Sequence, residues 1–213
     1  MISIRKHWLG DVSIELFRAA LQKDLLLVGT SDTIVGFLAA VTQKSKTFLD
    51  ETKRRVDKSY IVLIESLDRL DFFVDSQESV RIRPLLVACW PGPLTVIFKA
   101  KKGLPAYMKS PEGTIAIRVP DHAGLQNLLA HFPGLFSTSA NCAGDPVPTS
   151  VAVIDPEILT RVAYVITDEP ESAQVEPGQK KAPSTIIDCT GPEVKIVREG
   201  AFSLAQLRKF VAL

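Results

Sequence analysis

Apolar and polar positions along the chain follow two alternating periods. Residues 13–22, SIELFRAALQ, read as an amphipathic helix with Ser13 as its N-cap. Residues 25–29, LLLVG, form an unbroken apolar run and predict a buried strand, as does YIVLI at 60–64. Between them, residues 42–54 fit a helix with Phe48 and Leu49 on its apolar face. A polar helix pair follows over 67–74 and 78–89. LTVIFKA at 94–100 and TIAIRVP at 114–120 are rich in Thr, Val and Ile and predict strands. HAGLQNLLAHF predicts a helix, AYVITD, STIIDCT and VKIVRE predict further strands, and Ser203 caps a last helix, LAQLRKFVA. Strands and helices alternate without the regularity of a doubly wound fold. The expected architecture is therefore a single α/β domain with a twisted, mixed sheet and flanking helices. Residues 169–183, EPESAQVEPGQKKAP, are a polar stretch between elements and read as a lid or surface loop.

Composition narrows the function classes. With 25 basic and 24 acidic residues the net charge is +1, which argues against wholesale coating of DNA but leaves room for a local basic pocket. Cys89, Cys142 and Cys189 are widely spaced with no C-x-x-C pair, so zinc and dithiol redox sites are not expected. An odd cysteine count and an N-terminus, MISIRKHWLGD, without an apolar core point to a cytoplasmic protein. The apolar stretch from Pro84 to Phe98 is broken by Pro91 and Pro93 and does not suit a membrane span.

The common catalytic signatures are missing. The chain has no G-x-x-x-x-G-K-[ST], G-x-G-x-x-G or G-x-S-x-G, and its histidines, His7, His122 and His131, form no H-x-x-x-H pair. Several polar stretches beside strands remain. STSANCAGDPVPTS, 137–150, offers hydroxyls, an amide and backbone N–H groups that suit phosphate oxygens or Mg²⁺, although an ordinary capped turn has the same composition. WPGPLTVIF, 90–98, is a rigid turn feeding a strand, with Trp90 expected in the core. Arg118 lies inside an apolar strand and needs either a carboxylate partner or an anionic ligand, and Arg198 raises the same question. Lys53, Arg54, Arg55 and Lys58 cluster at the end of the 42–54 helix, where they either solvate it or grip an anion.

Taken in order, WPGPLTVIF, IAIRVPDH, STSANCAGDPVPTS, STIIDCTG and VREGAFS resemble the YrdC/Sua5 family of threonylcarbamoyl-AMP synthases, from about Asp24 to Ser203. The resemblance implies a YrdC-like sheet curled around a basic cavity. It implies a reaction of L-threonine, bicarbonate and ATP, with Mg²⁺, that yields threonylcarbamoyl-AMP and pyrophosphate for t⁶A modification of tRNA. By the same resemblance Ser137, Ser139, Asn141, Thr114 and Arg198 would serve ATP, and Ser31, Thr33, Arg118 and Ser184 would serve threonine. tRNA or tRNA-modification proteins would be further partners. A divergent paralogue that binds nucleotide or RNA without synthesis is the alternative; carbamoyl transfer is a third reading.

The first half departs from the family pattern. Where members read P-T-[DE]-T-V-Y-G-L, this chain has TSDTIVGF: Asp32, Thr33 and Gly36 agree, Ser31 keeps a hydroxyl, Thr30 replaces the proline and Val35 the tyrosine. Against I-F-x-x-K-x-R-P, a gapless register places Arg54 at the arginine and Lys58 at the following Asn/Lys position, with Thr52 where the family has lysine. A one-residue slip would align Lys53 and Arg55 instead but would put Asp50 on the apolar helix face. The expectation is therefore that Arg54 and Lys58 face phosphate, while Lys53 and Arg55 are solvated.

Overall fold

The computed structural model describes residues 4–8, 13–55, 58–168 and 182–210. Its strands are β1 (Ile4–His7), β2 (Leu26–Gly29), β3 (Gly36–Ala40), β4 (Ile61–Leu63), β5 (Leu94–Lys99), β6 (Thr114–Arg118), β7 (Leu135–Ser139), β8 (Val162–Thr167), β9 (Thr185–Asp188) and β10 (Lys195–Arg198). Its helices are α1 (Ser13–Gln22), α2 (Gln43–Lys53), α3 (Ser76–Val80), α4 (Arg83–Cys89), α5 (Ala123–Leu129), α6 (Pro156–Thr160) and α7 (Leu204–Leu207). The described strands form one ten-stranded sheet in the order β1-β8-β2-β3-β7-β4-β6-β5-β9-β10. Pairing is mixed: β2 runs parallel to β8 and antiparallel to β3, and β4 runs parallel to β6 and antiparallel to β7.

Alternate side chains of the central strands enter two cores. Leu26 and Val28 of β2, Phe37 and Ala39 of β3, Val62 of β4 and Phe136 of β7 join Leu49 of α2 and Leu85 and Leu86 of α4 on one face. Leu27, Leu38, Leu63 and Leu135 join Phe17 and Leu21 of α1 and Leu125, Leu128 and Leu129 of α5 on the other. A strand buried on both faces needs apolar residues at every position, which is why β2 and β4 read as continuous runs in the sequence.

Several elements differ from expectation. The stretch 67–74 is a 3₁₀ helix, Leu67–Phe72, and 78–89 splits into α3 and α4. Pro84 explains the split, because it lacks an amide N–H and fits only the first turn, where it sits in α4. Strand β3 was not expected from GFLAA, which contains no β-branched residue; pairing with β2 and β7 on both sides makes it a strand. Strand β1 pairs parallel with β8 at the sheet edge and was also missed. Ser203 does cap α7, through a capping box with Gln206. Most of the 169–183 stretch lies outside the described residues.

On the face that carries α1 and α5, the strands β7, β4, β6 and β5 line up Ser137, Ile61, Ala116 and Ile97 in one row. This row floors a cavity.

Candidate functional site

The cavity has a volume of about 350 Å³. Its walls come from segments distant in sequence. The β2–β3 loop contributes Thr30, Ser31 and Thr33; β6 contributes Arg118; β7 contributes Ser137 and Ser139. Ser184 leads into β9, Arg198 ends β10, and Arg55 and Ser59 follow α2. Three arginines line it, Arg55, Arg118 and Arg198, and among the described residues no carboxylate does. The expected threonine residues Ser31, Thr33, Arg118 and Ser184 are thus brought together, with Ser137, Ser139 and Arg198 beside them.

Arg118 is 5% exposed. Its Nε donates to the Gly92 carbonyl (3.0 Å), Nη1 to Thr33 Oγ1 (2.8 Å), and Nη2 pairs with Asp32, which also accepts from the Asp121 N–H (3.2 Å). Burial pulls this guanidinium below its ordinary value and Asp32 opposes the shift. The alternatives left open by the sequence are thereby joined: Arg118 has a carboxylate partner and also faces the cavity. It ties the β2–β3 loop to the Pro91–Pro93 turn.

Arg198 donates through Nη2 and Nε to the Ser184 carbonyl (2.8 and 3.2 Å) and through Nη2 to Ser184 Oγ (3.3 Å). Ser184 Oγ lies 2.8 Å from Thr95 Oγ1, a fully buried hydroxyl that sequence reasoning did not single out. Burial, then the charge of Arg118, lowers the Arg198 guanidinium from its ordinary value. The Arg118 charge is shared with Asp32, while among the described residues Arg198 has only serine partners.

The cluster after α2 corrects the expected register. Arg54 caps the helix in the left-handed conformation (φ 50°) and turns outward, where its 67% exposed side chain pairs with Glu157 at 2.7 Å. It lines none of the hollows described here. Lys53, expected in solvent, is 2% exposed. Its Nζ donates to the carbonyls of Ser139 and Asn141, both at 2.6 Å, and lies 5.5 Å from the centre of the Phe37 ring. Desolvation, followed by the charge of Arg55, pushes its ammonium down to about 8. Arg55 stacks on Tyr60 (5.3 Å) and lines the cavity, and among the described residues its buried Nε has no partner.

The slip was rejected because it brings Asp50 inward. Asp50 does turn inward, but it is paired: it accepts from Tyr60 Oη at 2.6 Å and from Lys46 Nζ at 2.6 Å. A half-buried carboxylate with two donors is tolerated where an unpaired one is not. Thr52 is 3% exposed and donates to the Phe48 carbonyl at 2.8 Å, so it is a helix-packing residue and no lysine is missing there.

Beside the cavity, and sharing Arg55 and Ser139 with it, an outer hollow of about 430 Å³ is lined by Lys53, Lys58, Asn141, Cys142, Ala143 and Gly144. The Ala143 N–H bonds the Lys53 carbonyl (2.9 Å), which docks the 140–144 turn on the end of α2. Lys58 and Asn141 therefore stand at this second compartment. Lys58 also reaches a third hollow with Lys46, Ser59, Tyr107 and Lys109. Thr114, at the start of β6, lines none of these and bonds Ser110 Oγ at 2.8 Å. Val35 lies in the larger core and not in the cavity wall.

Among the described residues, no group of His, Cys, Asp and Glu could hold a metal ion, and no helix is long and apolar enough to cross a membrane.

Comparison with known proteins bears on the family and the fold. The family model Sua5/YciO/YrdC, described as telomere recombination, matches residues 19–200. A Xanthomonas euvesicatoria protein named threonylcarbamoyl-AMP synthase is 37% identical over 123 residues, 56% of this chain and 65% of that protein. A Methanocaldococcus jannaschii protein that carries the same name provisionally is 27% identical over 198 residues, 92% of this chain and 89% of its own. The crystal structure of P. abyssi Sua5 complexed with L-threonine superposes with a TM-score of 0.82 at 24% identity, covering 98% of this chain and 60% of that one, and shows the shared fold. With the matched model spanning most of its length, the chain belongs to the Sua5/YciO/YrdC family.

Proposed function

We propose that this protein is an L-threonylcarbamoyladenylate synthase, a nucleotidyltransferase that joins L-threonine, bicarbonate and ATP and releases pyrophosphate. The reading rests on a cavity lined by three arginines and, among the described residues, by no carboxylate, joined through Arg55 and Ser139 to a lysine-bearing hollow. An amino-acid carboxylate, a carbamate and a triphosphate are all anions, and the two compartments divide them. Threonine belongs with Ser31, Thr33, Ser184 and the Arg118 and Arg198 guanidinium groups. The phosphates belong with Ser139, Asn141, Lys53, Arg55 and Lys58. Among the described residues the buried Arg55 Nε has no partner, and a ligand oxygen would satisfy it.

In the reaction, threonine's amine captures bicarbonate as a carbamate with loss of water. A carbamate oxygen then attacks the α-phosphorus and pyrophosphate leaves. Charge moves onto the leaving phosphates, and the work of this chain is to hold the reactants in line and to face that charge with fixed cations. Lys53 is held in place for this by the two carbonyls it bonds. Mg²⁺ would arrive as the companion of ATP, screening its phosphates: the chain offers it hydroxyl and amide oxygens from Ser137, Ser139 and Asn141 and, among the described residues, no carboxylate at the two hollows. The product would be consumed in t⁶A formation on tRNA.

The test is pyrophosphate release from ATP by the purified protein. Release that requires both L-threonine and bicarbonate supports the reading. Release independent of threonine contradicts it, and tight ATP binding with no turnover would instead mark a nucleotide-binding module.

A further inference from the structure

Behind the cavity wall lies a set of polar side chains to which the proposed reaction gives no role. Thr30 Oγ1 donates to Asp168 Oδ2 at 2.7 Å and accepts from the Trp8 indole Nε1–H at 3.0 Å. His122 Nδ1 accepts the Leu125 N–H at 3.1 Å, as the N-cap of α5. That bond fixes the tautomer: the proton is on Nε2, which faces both Asp168 oxygens at 3.1 Å. The directions are therefore forced, from Trp8 to Thr30 to Asp168, and from His122 to Asp168.

The origin of this chain of bonds cannot drift. Trp8 is 1% exposed and clamped between two glycines. A Cβ on Gly29 would lie 2.7 Å from the indole, and one on Gly124 would lie 2.5 Å from Trp8 Cβ. The Thr30 N–H also bonds the Ile166 carbonyl at 3.1 Å. Of Trp8, Thr30, His122 and Asp168, Thr30 alone lines the cavity, and Ser31 and Thr33 lie just after it in the same loop. At this position the family pattern has a proline, which can make none of the three Thr30 bonds.

We propose that Thr30, Asp168 and His122 are positioning residues: their hydrogen bonds hold the 30–33 wall of the cavity in the shape that receives the ligand. The effect on threonine rests on the synthase reading; the ordering of the wall does not.

Two variants break the relay at different points. Thr30→Val keeps the shape and removes the hydroxyl. His122→Asn keeps an N-cap acceptor for α5 but is too short for Asp168. Amide hydrogen exchange is followed at Ser31, Asp32 and Thr33, with Ile117 in the core of β6 as the reference. Both variants should speed exchange at the three wall amides by about ten-fold, with Thr30→Ser restoring wild-type rates and Ile117 unchanged. In calorimetry, Thr30→Val should weaken L-threonine binding by about ten-fold and change ATP binding by less than about two-fold. Unchanged wall exchange in both variants overturns the proposal. Faster exchange with unaltered threonine affinity overturns the link to the site. If the wild-type protein binds no threonine, the proposed function falls, while the exchange rates still decide the relay.

Discussion

Lys53, Arg54 and Arg55 are three adjacent cations with three different fates, and single substitutions separate them. Arg55→Ala removes a buried donor from the wall shared by both compartments and should weaken ATP binding by about ten- to a hundred-fold, since a hydrogen bond to a charged group is worth about 1.5–3 kcal/mol. Arg54→Gly should leave ATP binding unchanged. It relieves a left-handed residue at a helix C-cap and loses only a solvent-exposed ion pair. A melting temperature at or above wild type is the expected outcome, and a clear drop would contradict it. Lys53 adds a pH signature. Its ammonium titrates near 8 in the free protein, and a bound polyphosphate favours the charged form. ATP affinity should therefore fall as pH rises through about 8, and the slope should vanish in Lys53→Met.

At the scale of elements, α2 carries both a structural lock and the phosphate-facing turn. Thr42 caps its N-terminus, accepting the Ser45 N–H at 3.0 Å, and donates to Asp24 Oδ1 at 2.5 Å. Asp24, left-handed at φ 59°, thereby ties the α1–β2 turn to the start of α2. The Thr42 bond is the largest cause that holds this carboxylate below its ordinary 3.8. A depressed folded-state value means that the stabilisation is present above 3.8 and is lost as pH falls through the folded value. Asp24→Asn should therefore melt lower than wild type at neutral pH, and the gap should close in acid; a gap that persists there would contradict the assignment. Strands β2 and β4 were legible as apolar runs, and β5 and β6 through their Thr, Val and Ile content. Strand β3 was not, because its identity comes from two neighbouring strands and not from its own residues. The register of the cation cluster was misread for a related reason. Asp50 looks forbidden on an inner face until Tyr60 and Lys46 are seen to hold it, and periodicity cannot display a partner from the next strand.

At the scale of the whole molecule, short motifs carried the site further than any pattern did. Ser31, Thr33, Arg118, Ser137, Ser139, Ser184 and Arg198 converge because the mixed strand order brings β2, β6, β7, β9 and β10 to one cavity, which no local reading could foresee. Thr114 fell away because it starts β6, at the opposite end from Arg118. Thr95 and Asp168, the partners behind Ser184 and Thr30, carry no local signal, and their roles exist only once distant elements meet. Net charge was equally uninformative, since the arginines concentrate on one wall while the total remains +1. Joining three anionic or ionisable reactants into one adenylate is the activity these walls would serve. It is tested most directly by supplying ¹³C-bicarbonate, L-threonine and ATP with Mg²⁺ and examining the adenylate formed by mass spectrometry. The expected product is threonylcarbamoyl-AMP that carries the label in its carbamoyl carbon, formed in step with pyrophosphate. ATP consumption without a labelled adenylate, or no consumption at all, would contradict it.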